Sequence, residues 1–289
     1  MEIEKIEAIN LKKNFSKIDI LKEISFECNR GNITGFIGPN GSGKSSIFKI
    51  LSGLWNYEGN LFYGNVNFID DKQKIIDNIS SFIEVPNLYE DLTPRQNFDI
   101  YIKLHNINDL DWYNYLIKTF DIDEFLDLKI KRCSLGMKQK VAVVLALLKN
   151  SQVIILDEPT NSLDAKSVNK LHQLLIEIKN KKIILISSHI LEELESLCDK
   201  VYIINNGKIV NTTDLNNSNI YIVKFENNIS EVNKLKSTKI ISILDNSTLK
   251  LQVNELNMFL SECLSNNIKI LNIRNESNIK TLFNESVGD

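Results

Sequence analysis

Residues 38–45, GPNGSGKS, stand directly behind the apolar run Ile33–Ile37 and constrain this chain more than any other stretch. They satisfy the spacing G-x-x-x-x-G-K-[ST]. The flanks are the ones that spacing needs, with a strand pattern (NITGFIG) before it and a helical pattern (GKSSIFKILSGL) after it. Gly38, Gly41 and Gly43 let successive backbone N–H groups turn inward, and a helix N-terminus adds its positive end. Pro39, Asn40 and Ser42 complete the loop. Lys44 is placed to reach the β and γ phosphates of a nucleotide, while Ser45, with Ser46 beside it, is placed to ligate Mg²⁺. The competing reading is a glycine-rich structural turn. The strand, the helix and a downstream acidic pair together weigh against it.

That acidic pair is Asp157-Glu158, behind the apolar run VIIL. Carboxylates at the C-terminal end of a buried parallel strand face the crevice where open α/β sheets bind ligands. Asp157 is predicted to hold Mg²⁺, mostly through water. Glu158 is predicted to act as the general base on an attacking water. Loop and pair together predict NTP hydrolysis.

Up to about Asn211, β-branched runs such as QVIILDE and KKIILISS alternate with helical patterns such as SVNKLHQLLIEIKN. This predicts an α/β fold of the P-loop NTPase kind, with a parallel sheet covered by helices. A helical insert is expected from about 92 to 150, opened by Thr93 as N-cap and Pro94 at the first helical position. The Asn-rich stretch 211–219 reads as a linker. Residues 1–215 are thus expected to form one domain and 216–289 a small α+β domain. In the latter, strands are expected at 220–225, 240–244, 248–253 and 268–273. Helices are expected near 230–236, at 255–265 and from 277. That order, βαββαβ, is ferredoxin-like.

A net charge of −3 with an isoelectric point near 5.8 gives no electrostatic reason to bind nucleic acid or an anionic membrane. The four cysteines (Cys28, Cys133, Cys198, Cys263) lie far apart, with no CxxC pair, which predicts neither disulfides nor a zinc site. The first residues lack a signal-peptide core. The longest apolar run, Val141 to Leu148, is far short of the roughly 20 residues that span a bilayer. The chain is not expected to cross a membrane itself.

Three further motifs narrow the class: CSLGMKQK (133–140), NSLD (161–164) and SSH (187–189). Over about residues 1–215, the five motifs in this order resemble the ATP-binding subunit of an ABC transporter. The resemblance implies a head-to-tail dimer, homomeric or heteromeric, with ATP between one chain's phosphate loop and the other's signature loop. It implies that Ser134, Leu135 and Gly136 cap the γ-phosphate held by the opposite subunit and that Asp164 crosses the interface. It assigns to His189 the sensing of the γ-phosphate and to Phe15 the stacking of adenine. Glu84 stands where the family usually has a Gln that bridges Mg²⁺ to the transmembrane contact surface. The signature itself departs from the common Leu-Ser-Gly-Gly-Gln, with Leu135 at a flexible position. Lys138 and Lys140 sit at the wrong end of their helix for its dipole, and solvation is the expected relief. The wording of the loops around residues 80–93 and 134–139 is similar to the ATPases of bacitracin-resistance and lantibiotic-immunity exporters. That implies a cytoplasmic subunit, peripheral on the inner face of the membrane through a separate permease, powering export of a peptide or antibiotic. A soluble, non-transport ABC ATPase and a weakly hydrolysing switch half of a heterodimer are the alternatives.

Overall fold

The computed structural model describes residues 1–16, 18–83, 88–215, 220–226, 235, 237–253, 255–275 and 279–287. The chain forms two compact units, Met1–Thr213 with Phe283–Asp289, and Asp214–Leu282.

In the first unit, β1 (Lys5–Phe15) and β2 (Ile18–Asn29) pair antiparallel and precede β3 (Ile33–Ile37). β4 (Glu58–Tyr63) and β5 (Val66–Asn67) extend that pair into a four-stranded sheet of order β2-β1-β4-β5. This sheet departs from the expected uniform parallel alternation. Its strands bury one face only: Ile6, Ala8 and Leu11 of β1 and Leu21, Ile24, Phe26 and Cys28 of β2 point inward, while charged residues point out. One-sided burial is the antiparallel pattern. The mixed sequence of β1, KIEAINLKKNF, hides it from a search for apolar runs.

The second sheet has the order β10-β9-β3-β8-β7-β6. Its members beyond β3 are β6 (Ile79–Phe82), β7 (Val153–Asp157), β8 (Ile183–Ser188), β9 (Lys200–Asn205) and β10 (Lys208–Asp214). β3 lies parallel to β8 and β9, and β7 lies parallel to β6 and β8. β3, β7 and β8 are buried at every position, because helices cover both faces of a parallel sheet. The helices of this unit include α1 (Lys44–Leu51), α2 (Lys72–Ile76), α3 (Pro94–Leu104), α4 (Leu110–Thr119), α5 (Leu135–Leu148), α6 (Ala165–Ile178) and α7 (Leu191–Leu197); α1, α5 and α7 lie against the parallel strands, and α3 and α4 pack on α5. One core joins the two sheets: Phe36 of β3 and Ile47 and Phe48 of α1 cluster with Ile6, Leu11 and Phe26. α3 begins as expected, with Thr93 as N-cap and Pro94 after it, and Gln96 completes a capping box. Gln96 N–H donates to Thr93 Oγ1 at 3.3 Å, Thr93 N–H donates to Gln96 Oε1 at 3.0 Å, and Pro94 follows the cap.

The second unit holds β11 (Ile220–Phe225), β12 (Thr238–Ile243), β13 (Thr248–Val253), α8 (Leu256–Ser265) and β14 (Ile270–Asn275). The sheet order is β12-β13-β11-β14, and every neighbour pair is antiparallel. Val223, Phe225, Leu249, Leu251 and Val253 meet Phe259 and Cys263 of α8 in a core of their own. Apart from Leu235, the expected helix near 230–236 lies outside the described residues. The last helix, α9, runs Ile279–Val287. All four cysteines are buried and free. Among the described residues, no helix is long and apolar enough to cross a membrane.

Candidate active site

β3 leads straight into the loop 38–45. Gly41 (φ +79°) and Gly43 (φ +115°) occupy left-handed backbone that only glycine adopts without strain. Gly38 is required for space, since a Cβ there would lie 2.1 Å from the Ile204 carbonyl oxygen. Lys44 opens α1 and is only 5% exposed. Its Nζ donates to the carbonyls of Gly38 (2.8 Å) and Pro39 (3.2 Å) and lies 3.8 Å from Glu158 Oε1. Burial lowers the Lys44 pKa against the opposing pull of the Glu158 and Asp157 carboxylates. Ser42 Oγ is buried without a hydrogen-bond partner, a cost that a phosphate oxygen would remove. Ser45 and Ser46 are half-exposed on the first turn of α1, and Asn40 and Gly41 face solvent.

Asp157 ends β7 and is buried, with Ser187 Oγ donating to its Oδ1 at 2.6 Å. Ser187, at the end of the neighbouring β8, also accepts the Glu158 N–H at 2.9 Å. Glu158 itself takes a positive φ of 46°, which turns its side chain off the strand line. Its Oε2 accepts from Asn161 Nδ2 (2.8 Å) and lies 2.8 Å from His189 Nδ1. Burial raises the Glu158 pKa, but the bonds from Asn161 and His189 and the charge of Lys44 outweigh it and hold the carboxyl below its usual value. A carboxylate kept ionised, beside a half-exposed imidazole and a lysine, is equipped to take a proton from water. Lys44, Asp157, Glu158 and His189 are therefore gathered at the C-terminal ends of β3, β7 and β8.

Ser134 caps α5, accepting the Met137 N–H at 3.2 Å. Leu135 is 63% exposed. A Cβ on Gly136 would come within 2.8 Å of the Ser162 carbonyl, so the signature segment lies tight against the segment ending in Asp164. Asp164 caps α6, accepting from Ser167 N–H (2.9 Å) and Ser167 Oγ (3.0 Å). Lys138 and Lys140 are not relieved by solvation. Lys138 Nζ pairs with Glu90 at 2.7 Å and Lys140 Nζ with Asp164 at 3.5 Å, so carboxylates from other segments neutralise them. Phe15 is 46% exposed and meets Trp55 edge-on, with ring centroids 4.8 Å apart and Lys13 Nζ 4.8 Å from its own ring. Glu84 lies outside the described residues.

The sequence model of the ABC transporter family matches residues 21–161, an interval holding the loop 38–45, the 134–136 segment and the Asp157-Glu158 pair. The chain is 35% identical over 204 residues to the lantibiotic transport ATP-binding protein SrtF of Streptococcus pyogenes, covering 70% of this chain and 87% of that protein. The chain belongs to the ABC transporter ATP-binding family. It is also 33% identical over 208 residues to the bacitracin transport ATP-binding protein BcrA of Bacillus licheniformis, covering 71% of this chain and 68% of that one. A solved ATP-binding subunit of an ABC transporter superposes with a TM-score of 0.67 at 28% identity, over 73% of this chain and 90% of that one. The chain is thus an ABC ATPase, an ATP-binding transporter subunit.

Several residues of this ATPase escaped the sequence. SSH points to its His alone, yet Ser187 is the tie between Asp157 and Glu158. Gln139 of α5 donates from Nε2 to the Pro159 carbonyl at 2.9 Å, linking the signature helix to the segment after Glu158. Trp55 carries no motif, and only its edge contact with Phe15 singles it out.

Proposed function

We propose that this ATPase powers the export of a peptide or antibiotic by docking on a separate membrane permease. It would work as a head-to-tail dimer with itself or with a second ATPase subunit. The observation that carries the reading is the convergence of Lys44, Asn161 and His189 on Glu158 beside Asp157, while Ser134 and Leu135 of the same unit face outward. The names of SrtF and BcrA support the cargo class. The absence of a membrane-length helix among the described residues supports a separate permease and a peripheral, cytoplasmic subunit. Residues 1–215 would then be the ATPase domain, with 92–150 as its helical insert. Residues 216–289 would be a ferredoxin-like accessory domain, supported by the antiparallel order β12-β13-β11-β14.

The loop Gly38–Ser45 would bind the phosphates. Lys44 would exchange its two loop carbonyls for phosphate oxygens, and Ser42 Oγ would gain the partner it lacks. Phe15, buttressed by Trp55, would stack the adenine. Ser134 and Gly136 of the facing subunit would cap the γ-phosphate, with Leu135 and Asp164 at the interface. Glu158 would take a proton from the attacking water and His189 would hold that water. The new oxygen–phosphorus bond forms in line with the bond to ADP that breaks. Mg²⁺ fits the donor set. Among the described residues no cluster of three or more His, Cys, Asp or Glu could hold a metal alone, and Mg²⁺ characteristically takes one or two protein oxygens plus substrate phosphates. Ser45 and Asp157 would supply those oxygens, with Glu84 as a further candidate ligand, and the ion would neutralise phosphate charge.

The test is the solution mass of Glu158→Gln by light scattering, with and without Mg²⁺-ATP, beside its turnover. We expect a shift from one chain to two and a loss of hydrolysis of about 10²–10⁴-fold. Hydrolysis at the wild-type rate would remove Glu158 from the role of base. A mass that stays at one chain would mean that the functional pair is a heterodimer or that the permease is needed to bring the halves together.

A further inference from the structure

Behind the site, α7 carries a second carboxylate that the hydrolysis scheme does not use. Glu193 is 8% exposed, in the first turn of α7. A buried carboxylate is costly unless hydrogen bonds satisfy it, and Glu193 is satisfied from three directions. Ser188 Oγ donates to its Oε2 at 2.6 Å, Thr160 Oγ1 donates to the same oxygen at 3.2 Å, and His172 Nε2 lies 3.1 Å from Oε1. Burial raises its pKa, and those three bonds outweigh burial to leave it lowered, so the group is an anion.

The three partners belong to the segments whose relative placement sets the chemistry. Ser188 precedes His189, and its Oγ also accepts the Ile190 N–H at 3.0 Å, so the hydroxyl brackets His189 from both sides. Thr160 stands between Glu158 and Asn161, and its carbonyl accepts the Leu163 N–H at 3.0 Å in the turn that leads to Asp164. His172 is on α6, the helix that Asp164 caps. His189 and Asn161 converge on Glu158 Oε2 from the front. Glu193 holds the neighbours of both from the back.

We propose that Glu193 is a positioning residue for hydrolysis, fixing His189 and Asn161 against Glu158 by gripping Ser188, Thr160 and His172 with one buried carboxylate. The inference rests on the assignment of Glu158 and His189 above. It gives the enzyme a rigid brace between the strand end that carries His189 and the turn and helix that lead from Asp164. Because Glu193 touches neither the phosphate loop nor the ring pair at Phe15, its loss should leave nucleotide binding intact while spoiling the geometry around Glu158. A misplacement of about 1 Å at a reacting centre costs up to about 10²-fold in rate.

The experiment compares Glu193→Gln, Thr160→Val and Ser188→Ala with wild type in kcat, KM for Mg²⁺-ATP, calorimetric affinity for ATP and melting temperature. Glu193→Gln keeps the shape, so we expect kcat to fall about 10–100-fold, with KM and ATP affinity within about twofold. Thr160→Val and Ser188→Ala each remove one bond, and each should show a smaller fall of the same kind. In the double variant with Glu158→Gln, the Glu193 change should add nothing further, because it acts through that carboxylate. A kcat within twofold of wild type in Glu193→Gln overturns the proposal, as does a fall in ATP affinity matching the fall in kcat. Should Glu193→Gln not fold, a wild-type kcat in both hydroxyl variants overturns it instead. Glu158→Gln alone separates the two levels. If it hydrolyses normally, the assignment of the base fails, whereas if it is inactive while Glu193→Gln is normal, only the brace fails.

Discussion

The loop at 38–45 and the segment at 134–136 sit in opposite physical settings within one unit. The first is locked between β3 and α1, with Lys44 5% exposed and tied to its own loop carbonyls. The second ends in solvent, with Leu135 63% exposed. The first closes on itself within one chain and is the proposed phosphate cradle. The second has its cap and its backing against Ser162, and leaves Ser134 and Leu135 exposed. A site assembled from one buried half and one exposed half has a natural place for a second chain. Perturbing the buried half should therefore damage binding, and perturbing the exposed half should damage turnover while sparing binding.

The widest separation is expected between two glycine substitutions of the same size. In Gly38→Ala the new Cβ meets backbone at 2.1 Å, which cannot yield as a side chain can. We expect a loss of stability of about 1–3 kcal/mol or more and no measurable ATP binding. In Gly136→Ala the Cβ meets the Ser162 carbonyl at 2.8 Å at the edge of the unit. That contact is also with backbone but less severe, so the melting temperature should fall less than in Gly38→Ala, while ATP affinity holds and turnover drops. Equal losses of ATP affinity in both variants would erase the contrast.

Lys44→Ala comes next. It removes a charge-assisted contact of roughly 1.5–3 kcal/mol, so the ATP dissociation constant, measured by titration calorimetry, should rise about 10–100-fold. Retained affinity would mean that the lysine stays on Gly38 and Pro39 and never reaches phosphate.

Ser134 tests the exposed half. Its hydroxyl caps α5 through the Met137 N–H, and loss of such a cap costs about 1 kcal/mol. Ser134→Ala should lower both stability and turnover. Ser134→Asp can cap the helix equally well but sets a negative charge where the facing γ-phosphate is proposed to lie. Its melting temperature should return to the wild-type value while hydrolysis stays low. Hydrolysis that recovers with the cap would reduce Ser134 to a helix terminus.

What the sequence disclosed divides along the same line. The loop, α1, β7 and β8 were legible because glycine spacing and fully apolar runs are local signals, and the Thr93 cap with Pro94 behind it was legible because it spans two residues. The β2-β1-β4-β5 sheet was not, because its inward residues alternate with charges and its β1–β4 pairing joins segments tens of residues apart. The neutralisation of Lys138 by Glu90 and of Lys140 by Asp164 is equally non-local. Glu193 was invisible for a different reason. In LEELESL it is one of three glutamates, and only burial separates it from the exposed Glu192 and the half-exposed Glu195.

The smallest effect concerns the charge on Glu158. Burial pushes its pKa up, and Asn161, His189 and Lys44 pull it below the usual carboxylate value, so the carboxyl is ionised throughout the neutral range. The sign follows from linkage. A depressed folded-state pKa gives stability that is present above the unfolded value and is lost as pH falls through the folded one. The acid limb of the rate profile should fall at that same depressed pKa. Asn161→Ala removes the 2.8 Å bond to Oε2 from an exposed side chain, without touching the phosphate loop. Burial then has less to oppose it, and the acid limb of kcat should move to higher pH while ATP affinity stays put. An unmoved limb, read from kcat between pH 4 and 8, would mean that the rate reports a group other than Glu158. The buried half would then owe its reactivity to the loop and the lysine rather than to the carboxylate they face.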